Sequence, residues 1–307
     1  MQSYLDYNST TPLDPEVLEA MTRFMRDEYG NPSSFHKKGQ AARHAIEEAR
    51  ETIAESLGAE PGDVFFTSGG TESDNLAVKG VMEFFRGTRD HLVVSAIEHQ
   101  AVLHAAKELE SRGVKVTYVA VDSKGLVDLE KLRTAVTDRT ALVSLMHVNN
   151  EIGTIQPVRE AARLAHEKGA YFHTDAVQSF GKIDIDAGEM GADFLSMSAH
   201  KICGPKGAGA LYVKKGAKLK AQVHGGHQEK NIRPGTENVA AIVGFGKAVE
   251  LALKYGADES KRVLGLREKL HRGLQKAIPG IKLNGHPTER IYNTLNLSFP
   301  GLTARRF

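Results

Sequence analysis

The feature that most constrains the fold is a regular alternation between short apolar runs and segments with helical periodicity. Several of the apolar runs show little polar alternation, as expected of strands that helices cover on both faces. This pattern predicts a three-layer α/β domain built around a mostly parallel sheet. The predicted strands are residues 64–67, 92–96, 114–121, 141–148, 171–174, 194–198 and 209–213. The predicted helices are one that Asp14 caps and Gly30 ends, one that starts near Glu72, and residues 42–57, 102–109, 129–136 and 158–167.

The sequence changes character after Gly216. A glycine-rich polar segment at 224–227 precedes two predicted helices at 239–255 and 260–277, and then a predicted strand at 291–299. We therefore expect a large domain at 15–250, and a smaller α+β domain formed by 1–14 and 251–307. The smaller domain is expected to be incomplete, because the strand enters a turn and only six residues follow Gly301.

Composition excludes several classes of function. Forty basic against 38 acidic side chains give a net charge of +2, so nothing favours a nucleic acid or an anionic membrane as the partner. No run approaches the roughly 20 apolar residues that span a bilayer, and the N-terminus does not resemble a signal peptide. The single cysteine excludes an internal disulfide and a thiolate-rich metal site. We predict a cytoplasmic protein that acts on a small molecule.

One lysine stands where a strand ends and a loop opens. The motif SAHKICGPKG at 198–207 places Lys201 directly after a predicted strand and before a glycine-proline turn. Partial burial, with positive charge from His200 and Lys206 nearby, would lower the pKa of Lys201 and leave part of it neutral and able to form an imine with an aldehyde. The alternative is a solvated surface lysine.

Another strand end favours phosphate binding. The motif SGGT at 68–71 lies between a strand and a helix, so that backbone N–H groups and the Thr71 hydroxyl meet at a helix N-terminus. The spacing matches neither a dinucleotide fingerprint nor a P-loop. The alternative is a tight turn in which Thr71 only caps the helix.

Three more strands end in polar groups. Asp175 is at the carboxyl end of a strand, where open α/β sheets bind ligands, and a buried carboxylate there needs a cation such as a protonated pyridine nitrogen. His99 could stack on a flat ring and shuttle protons. Asn150 could hydrogen-bond a ring hydroxyl or a carboxylate. Taken singly, a helix cap for Asp175 and a structural histidine are the simpler interpretations.

The coincidence of these groups on one edge of one sheet carries the functional prediction. A phosphate cradle, a carboxylate for a pyridinium and an imine-forming lysine together describe pyridoxal 5'-phosphate. We predict no metal site, because His224 and His227 lack a third ligand in their glycine loop.

The chain resembles the cysteine desulfurases, pyridoxal-phosphate enzymes of fold type I in the class V aminotransferase group. The resemblance covers nearly the whole chain. Besides the Asp175 and Lys201 motifs, it rests on LDYNSTTP at 5–12, GNPSS at 30–34, TSGGTES at 67–73, EH at 98–99, NNEIG at 149–153 and RPGTEN at 233–238.

The resemblance implies a role for each matching residue. Lys201 would form the Schiff base, Asp175 would face the pyridine nitrogen, and His99 would stack on the ring and assist proton transfer. Gln178 and Asn150 would bond the ring hydroxyl and the substrate side. The residues implied at the phosphate are Gly70, Thr71, Ser198, His200 and, from the other subunit of a homodimer, Thr236.

The resemblance further implies that L-cysteine is converted to alanine, with a persulfide passed to an acceptor or scaffold protein for Fe–S cluster or thio-cofactor synthesis. In this family a loop after the region 299–301 carries the cysteine that takes the sulfur, and a later arginine binds the substrate carboxylate. Neither is present, so we expect a truncated chain whose tail at 302–307 does not replace them. Whether the truncation is natural and which acceptor is used cannot be read from the sequence.

Cys203 replaces a residue that is commonly aromatic in the family. We expect it to face the same way as Lys201 but to lie too near the phosphate end to reach a substrate thiol, so a small apolar filler is the preferred interpretation. Two alternatives to a desulfurase stay open. One is a catalytically incompetent cofactor-binding fragment or paralogue, and the other is a related class V lyase or aminotransferase.

Overall fold

The computed structural model describes residues 3–302. Within them, one sheet contains the strands β1 (Val64–Thr67), β2 (His91–Ser95), β3 (Lys115–Val119), β4 (Thr140–Ser144), β5 (Tyr171–Asp175), β6 (Phe194–Ser198) and β7 (Gly209–Val213). The order across the sheet is β1-β7-β6-β5-β4-β2-β3. The seven strands predicted between residues 64 and 213 are all present, although those predicted at 114–121 and 141–148 are longer than β3 and β4.

The sheet is mostly parallel, as predicted. Strands β2 to β6 pair in parallel, whereas β7 is antiparallel to both of its neighbours, β1 and β6. Only ten residues separate β6 from β7, which is too short for the helical crossover that a parallel neighbour requires. The chain therefore turns back on itself, and this turn contains Lys201.

Helices cover both faces of the sheet. They are α1 (Pro15–Arg26), α2 (Lys37–Glu55), α3 (Gly70–Phe84), α4 (Gln100–Ser111), α5 (Leu129–Ala135), α6 (Val158–His166), α7 (Ala187–Met190) and α8 (Val239–Ala277). Asp14 caps α1 by accepting a hydrogen bond from the Glu16 N–H, but the helix ends at Arg26 rather than at Gly30.

Two apolar cores lie on opposite faces of the sheet. Leu92 and Val94 of β2 pack in the core beneath α3 and α4, whereas Val93 between them packs in the core beneath the other helices. This alternation follows from the two-residue period of a strand, and it confirms the three-layer prediction.

Helix α8 is one continuous helix of 39 residues, so the two helices predicted at 239–255 and 260–277 are wrong in their division. The predicted break covers residues 256–259 and includes one glycine, Gly256, but glycine inside a helix costs only about 1 kcal/mol relative to alanine. The first half of α8 is buried against α1 and α2, and the second half is largely exposed. The domain boundary predicted at 250/251 falls inside this helix, and the division into two domains stays a prediction.

The strand predicted at 291–299 is mostly wrong. Only Leu297–Ser298 is a strand, β9, and it pairs antiparallel with Lys282–Leu283, which is β8. Polar side chains bind elsewhere instead: Asn293 donates to the Asn8 side chain, and Asn296 donates to the Glu151 carbonyl. Such side-chain hydrogen bonds compete with a strand ladder.

The tail beyond Leu302 lies outside the described residues, so its predicted role is not addressed by the structure. Within residues 3–302, no helix combines the length and apolarity that crossing a bilayer requires.

Candidate active site

A cavity of about 440 Å³ opens at the carboxyl ends of the parallel strands. Thr236, which was expected to act in the other subunit, is exposed and does not line this cavity. Its role stays a prediction. The other predicted site residues all line the cavity: Gly70, Thr71, His99, Asn150, Asp175, Gln178, Ser198, His200 and Lys201.

Lys201 lies in the single turn of 3₁₀ helix that follows β6. Its Nζ donates hydrogen bonds to the Asn8 carbonyl and, at 2.8 Å, to the Ser9 carbonyl. Burial lowers the pKa of Lys201, as predicted, but the cause is burial and not neighbouring positive charge. The carboxylates of Asp175, Asp6 and Glu151 act in the opposite direction.

Asp175 ends β5 and is 5% exposed. Burial raises the pKa of this carboxyl, against the opposing effects of the Val177 N–H, which donates to it at 2.9 Å, and of His99 and Lys201. The helix-cap alternative does not apply, because no helix begins within the ten residues after Asp175. A carboxylate in this position favours a cationic ligand.

The predicted phosphate end combines small residues with unused donors. Gly69 has a φ of +150°, and a Cβ on Gly70 would lie 2.6 Å from a methyl group of Val177, so both positions need glycine. The first N–H groups of α3 point out of the helix. The Ser198 hydroxyl is buried and has no hydrogen-bond partner within the described structure.

His200 is neutral at this end of the cavity. Burial, together with Lys201, Lys206 and Lys182, lowers the pKa of His200 to about 4. Its Nδ1 lies 3.1 Å from the Thr10 hydroxyl. A neutral imidazole can donate one hydrogen bond to an anion without adding charge.

His99 is exposed at the N-cap of α4, where its Nδ1 accepts a hydrogen bond from the Ala101 N–H at 3.2 Å. The preceding residue, Glu98, is buried and binds the Ser95 hydroxyl and the Met146 N–H, each at 2.7 Å. Burial raises the pKa of Glu98 to about 8. Glu98 therefore fixes the loop from which His99 reaches the cavity.

Asn8 connects several site residues, although it was not among the predicted site residues. Its carbonyl accepts from Lys201 and, at 2.8 Å, from Gln178. Its side chain donates to the Asn150 carbonyl at 3.2 Å and to the Thr294 hydroxyl at 2.9 Å. Asn8 therefore joins the catalytic edge of the sheet to the polar segment before β9.

Two further residues near the cavity were missed. Asp74 lies on α3 one turn after Gly70, a helical spacing that could have revealed it. Burial and the neighbouring Asp175 raise the pKa of Asp74 well above its ordinary value. Lys182 donates to Gln178 Oε1 at 3.0 Å, and burial lowers its pKa to about 7.

Potential metal ligands meet at one place within residues 3–302. Ligand atoms of Asp74, His99 and Asp175 lie within 4.8 Å of one another. This group coincides with the position predicted for the cofactor ring, where Asp175 would face a ring cation. His227, from the glycine loop, instead lies 2.9 Å from the Asn231 side chain.

Cys203 does not line the cavity, and the expectation that it faces the same way as Lys201 stays a prediction. Its φ is +63°, and its N–H donates to the Thr11 hydroxyl at 2.8 Å. Burial raises the pKa of the thiol, which disfavours the reactive thiolate.

Taken together, these residues fit pyridoxal phosphate. The orphaned Ser198 hydroxyl, the side-chain-free Gly69 and Gly70, and the N-terminus of α3 suit a phosphate. Buried Asp175 suits a ring cation, and the partly buried Lys201 amine suits an aldehyde.

The chain is similar to known proteins over almost all of its length. The family described as "Aminotransferase class-V" matches residues 3–307. The "Cysteine desulfurase IscS" of Clostridium botulinum strain Hall is 48% identical over 303 residues, which are 98% of this chain and 76% of that protein. The protein of the same name from Dictyoglomus turgidum is 50% identical over 96% of this chain and 75% of its own length.

Solved structures agree with these sequences. A protein described as "NIFS-LIKE PROTEIN" superposes with a TM-score of 0.97 at 42% identity, over 100% of this chain and 84% of that one. The NifS-like protein from Rickettsia africae gives a TM-score of 0.91 at 35% identity, over 100% of this chain and 84% of its own. The chain therefore belongs to the class V aminotransferase family and, within it, to the cysteine desulfurases.

Proposed function

We propose that this protein is a pyridoxal-phosphate-dependent cysteine desulfurase, which converts L-cysteine to alanine and passes the sulfur to a thiol. The observation that carries the proposal is the convergence in one cavity of the Lys201 amine, the buried Asp175 carboxyl and the unpartnered Ser198 hydroxyl. Its family depends on pyridoxal phosphate. Another solved relative, 44% identical to this chain, is described as "SspA in complex with cysteine".

Five parts of the site would hold the cofactor. Lys201 would hold its aldehyde carbon covalently, Asp175 its ring nitrogen, and Ser198 with the loop at 68–71 its phosphate. When bound, pyridoxal phosphate supplies an electron-withdrawing ring that stabilises negative charge at the substrate Cα. Gln178 would bond the ring hydroxyl.

The protein's own residues then move protons. Because burial lowers the pKa of Lys201, part of this amine is neutral and can take a proton from the substrate Cα. His99, exposed on the other wall, would exchange a proton with the substrate sulfur. Asn150 would orient the substrate. These roles follow the family resemblance and are part of the proposal.

The sulfur needs an acceptor thiol from outside the cavity. Cys203, the one cysteine among the 307 residues, does not line it. In the overall reaction the Cβ–S bond of cysteine breaks, Cβ takes a proton, and the sulfur joins an acceptor thiol as a persulfide, so that cysteine and RSH give alanine and RSSH. A small added thiol is sufficient for this balance, and a protein acceptor would serve in Fe–S cluster or thio-cofactor synthesis.

The proposal includes a cytoplasmic homodimer in which Thr236 of each subunit completes the phosphate site of the other. The exposure of Thr236 on the segment before α8 supports this. A mass measurement by light scattering during size-exclusion chromatography would test the dimer, and a monomeric mass would contradict it.

Alanine formation tests the central proposal. The purified chain is incubated with pyridoxal phosphate, L-cysteine and dithiothreitol, and the alanine released per subunit is measured. We expect sustained release beyond one equivalent, and its loss in Lys201→Ala. Lys206→Ala is the matched control, because this lysine lies in the same turn, is exposed and does not line the cavity.

A chain that binds the cofactor but releases no alanine would overturn the desulfurase proposal and favour a cofactor-binding fragment. Release of another product, such as sulfide with pyruvate, would favour a class V lyase. The relatives favour neither alternative, since both curated proteins reported above are named cysteine desulfurases.

A further inference from the structure

The segment before α8 contains unusual backbone geometry. Glu229, Lys230 and Asn231 have φ angles of +44°, +53° and +66°, which makes three consecutive non-glycine residues left-handed. This conformation is unfavourable for residues with a Cβ, and three in a row persist only where the surroundings enforce it. Two sets of contacts hold this segment in place.

The first contact is a buried ion pair. The two carboxylate oxygens of Glu229 accept hydrogen bonds from Arg50 Nη2 and Nη1 at 2.7 and 2.8 Å. Glu229 is 8% exposed, and Arg50 is 9% exposed. Both residues also bind the edge strand β1: Glu229 accepts from the Phe66 N–H at 2.7 Å, and Arg50 donates to the Val64 carbonyl at 2.7 Å. The pair thus fastens the segment to β1.

The second contact holds the other side of the loop that follows β1. Arg233 Nε donates to Glu72 Oε1 at 2.8 Å, and Glu72 Oε2 accepts the Ser68 N–H at 2.7 Å. Glu72 is in the first turn of α3. The same short segment therefore binds the chain on both sides of residues 68–71. Glu229 binds Phe66 before them, and Arg233 binds Glu72 after them.

The loop between these two contacts is the predicted phosphate loop, residues 68–71. Its inner side is held by the hydroxyls of Thr67 and Ser73, which are 2.8 Å apart. On the side of the loop that faces the segment before α8, Glu229 binds Phe66 and Arg233 binds Glu72. A shift of β1 or of the first turn of α3 would move the N–H groups of the loop relative to Ser198.

We propose that Glu229, with Arg50, and Glu72, with Arg233, are positioning residues for the phosphate end of the site. This inference rests on the proposed function, because it assumes a phosphorylated cofactor. The residues do not touch the cofactor; they set the position of the loop that does. The buried pair of Glu229 and Arg50 holds the segment in its left-handed conformation. In this conformation the segment contacts the chain on both sides of the phosphate loop.

Comparison of two cofactors isolates this effect. Pyridoxal has the same ring and aldehyde as pyridoxal phosphate but no phosphate. The dissociation constants of both are measured with the full 307-residue chain by absorbance titration, and their ratio reports the phosphate contacts alone. We expect Glu229→Gln to lower this preference for pyridoxal phosphate over pyridoxal about tenfold. This is the lower end of the loss in affinity seen when a residue that supports a ligand-binding group is replaced.

Asp193→Asn is the matched control. Asp193 is also buried, 5% exposed, and also accepts a strand N–H, that of Phe172 at 2.8 Å, but it lies at the opposite edge of the sheet. We expect it to lower the melting temperature without changing the preference ratio. A role of Glu229 in stability alone would give the same unchanged ratio.

Glu72→Gln is the second variant, because Glu72 is only partly buried and its loss threatens folding less. It should also lower the ratio. An unchanged ratio in every variant that folds would overturn this inference alone. A wild-type chain that does not prefer pyridoxal phosphate to pyridoxal would overturn the proposed cofactor, and this inference with it.

Discussion

Two buried aspartates at opposite edges of the sheet differ in how their charge is satisfied. At the amino edge, Asp193 accepts the Phe172 N–H at 2.8 Å and lies 2.7 Å from His166 and 3.8 Å from Lys214. At the carboxyl edge, Asp175 accepts the Val177 N–H, its carboxyl lies beside that of Asp74, and burial raises the pKa of both.

The difference separates stability from function. A buried carboxylate that has its donors and cations contributes to folding, whereas one that lacks a cation costs free energy until a ligand supplies it. The same residue type therefore has opposite effects at the two edges. Substitutions that keep the shape of each aspartate can test this contrast.

Asp175→Asn should have the largest effect, and it should fall on catalysis. We expect alanine formation to drop about a hundredfold, an order-of-magnitude value for loss of one charged group at a reacting centre. The stability of the protein without cofactor should not fall, because the asparagine can still accept from Val177 and no longer has to bury a charge. Steady-state kinetics and thermal melts measure the two properties, and a large loss of stability would contradict the comparison.

Asp193→Asn should show the reverse pattern. We expect the free energy of unfolding to fall by about 2 kcal/mol, since His166 and Lys214 lose their partner and a buried polar group is less well satisfied. Alanine formation per folded subunit should stay unchanged. Urea unfolding measures the first property, and a hundredfold loss of activity would show that the amino edge is coupled to the site.

Per pH unit, the pH dependence of stability should show the smallest effect. Burial raises the pKa of Glu98 to about 8, so the folded state keeps a proton that the unfolded state loses above about pH 4.5. Stability present at low pH is therefore lost as the pH rises towards 8. Each such proton changes the free energy of unfolding by about 1.4 kcal/mol per pH unit.

Glu98→Gln keeps the acceptor for Ser95 and Met146 but does not titrate. We expect its free energy of unfolding, measured by urea denaturation at pH 5, 6, 7 and 8 without cofactor, to decline less steeply than that of the wild type. Parallel curves for the two proteins would show that Glu98 is ionised in the folded state at neutral pH.

Much of the site was predictable because it follows from strand ends. Asp175, Ser198 and Lys201 follow or end apolar runs, and parallel strands bring their carboxyl ends to one edge. Asp74 and Lys182 were missed because no strand end marks them. Asp74 lies one helical turn after Gly70, and Lys182 lies in the turns that follow Gln178. Neither lies at a break in the apolar pattern.

Long-range contacts explain the remaining errors. Asn8 reaches the site from the N-terminus through hydrogen bonds to residues more than 140 positions away, and no local pattern reveals these. The segment 291–299 has strand-like composition, but its amide side chains are used by Asn8 and Glu151. The break predicted at 256–259 is absent, and α8 continues through these residues.

The continuity of α8 has a mechanical consequence. At 1.5 Å per residue, its 39 residues form a rod about 58 Å long. Its first half is buried in the core, and its second half is largely exposed. Arg267, on the outer half, donates to the Ile291 carbonyl, and the residues after it contact Asn8, whose carbonyl receives the Lys201 amine. Three hydrogen bonds thereby link the outer half of α8 to the Lys201 amine, and we expect a tilt of this half to displace that nitrogen.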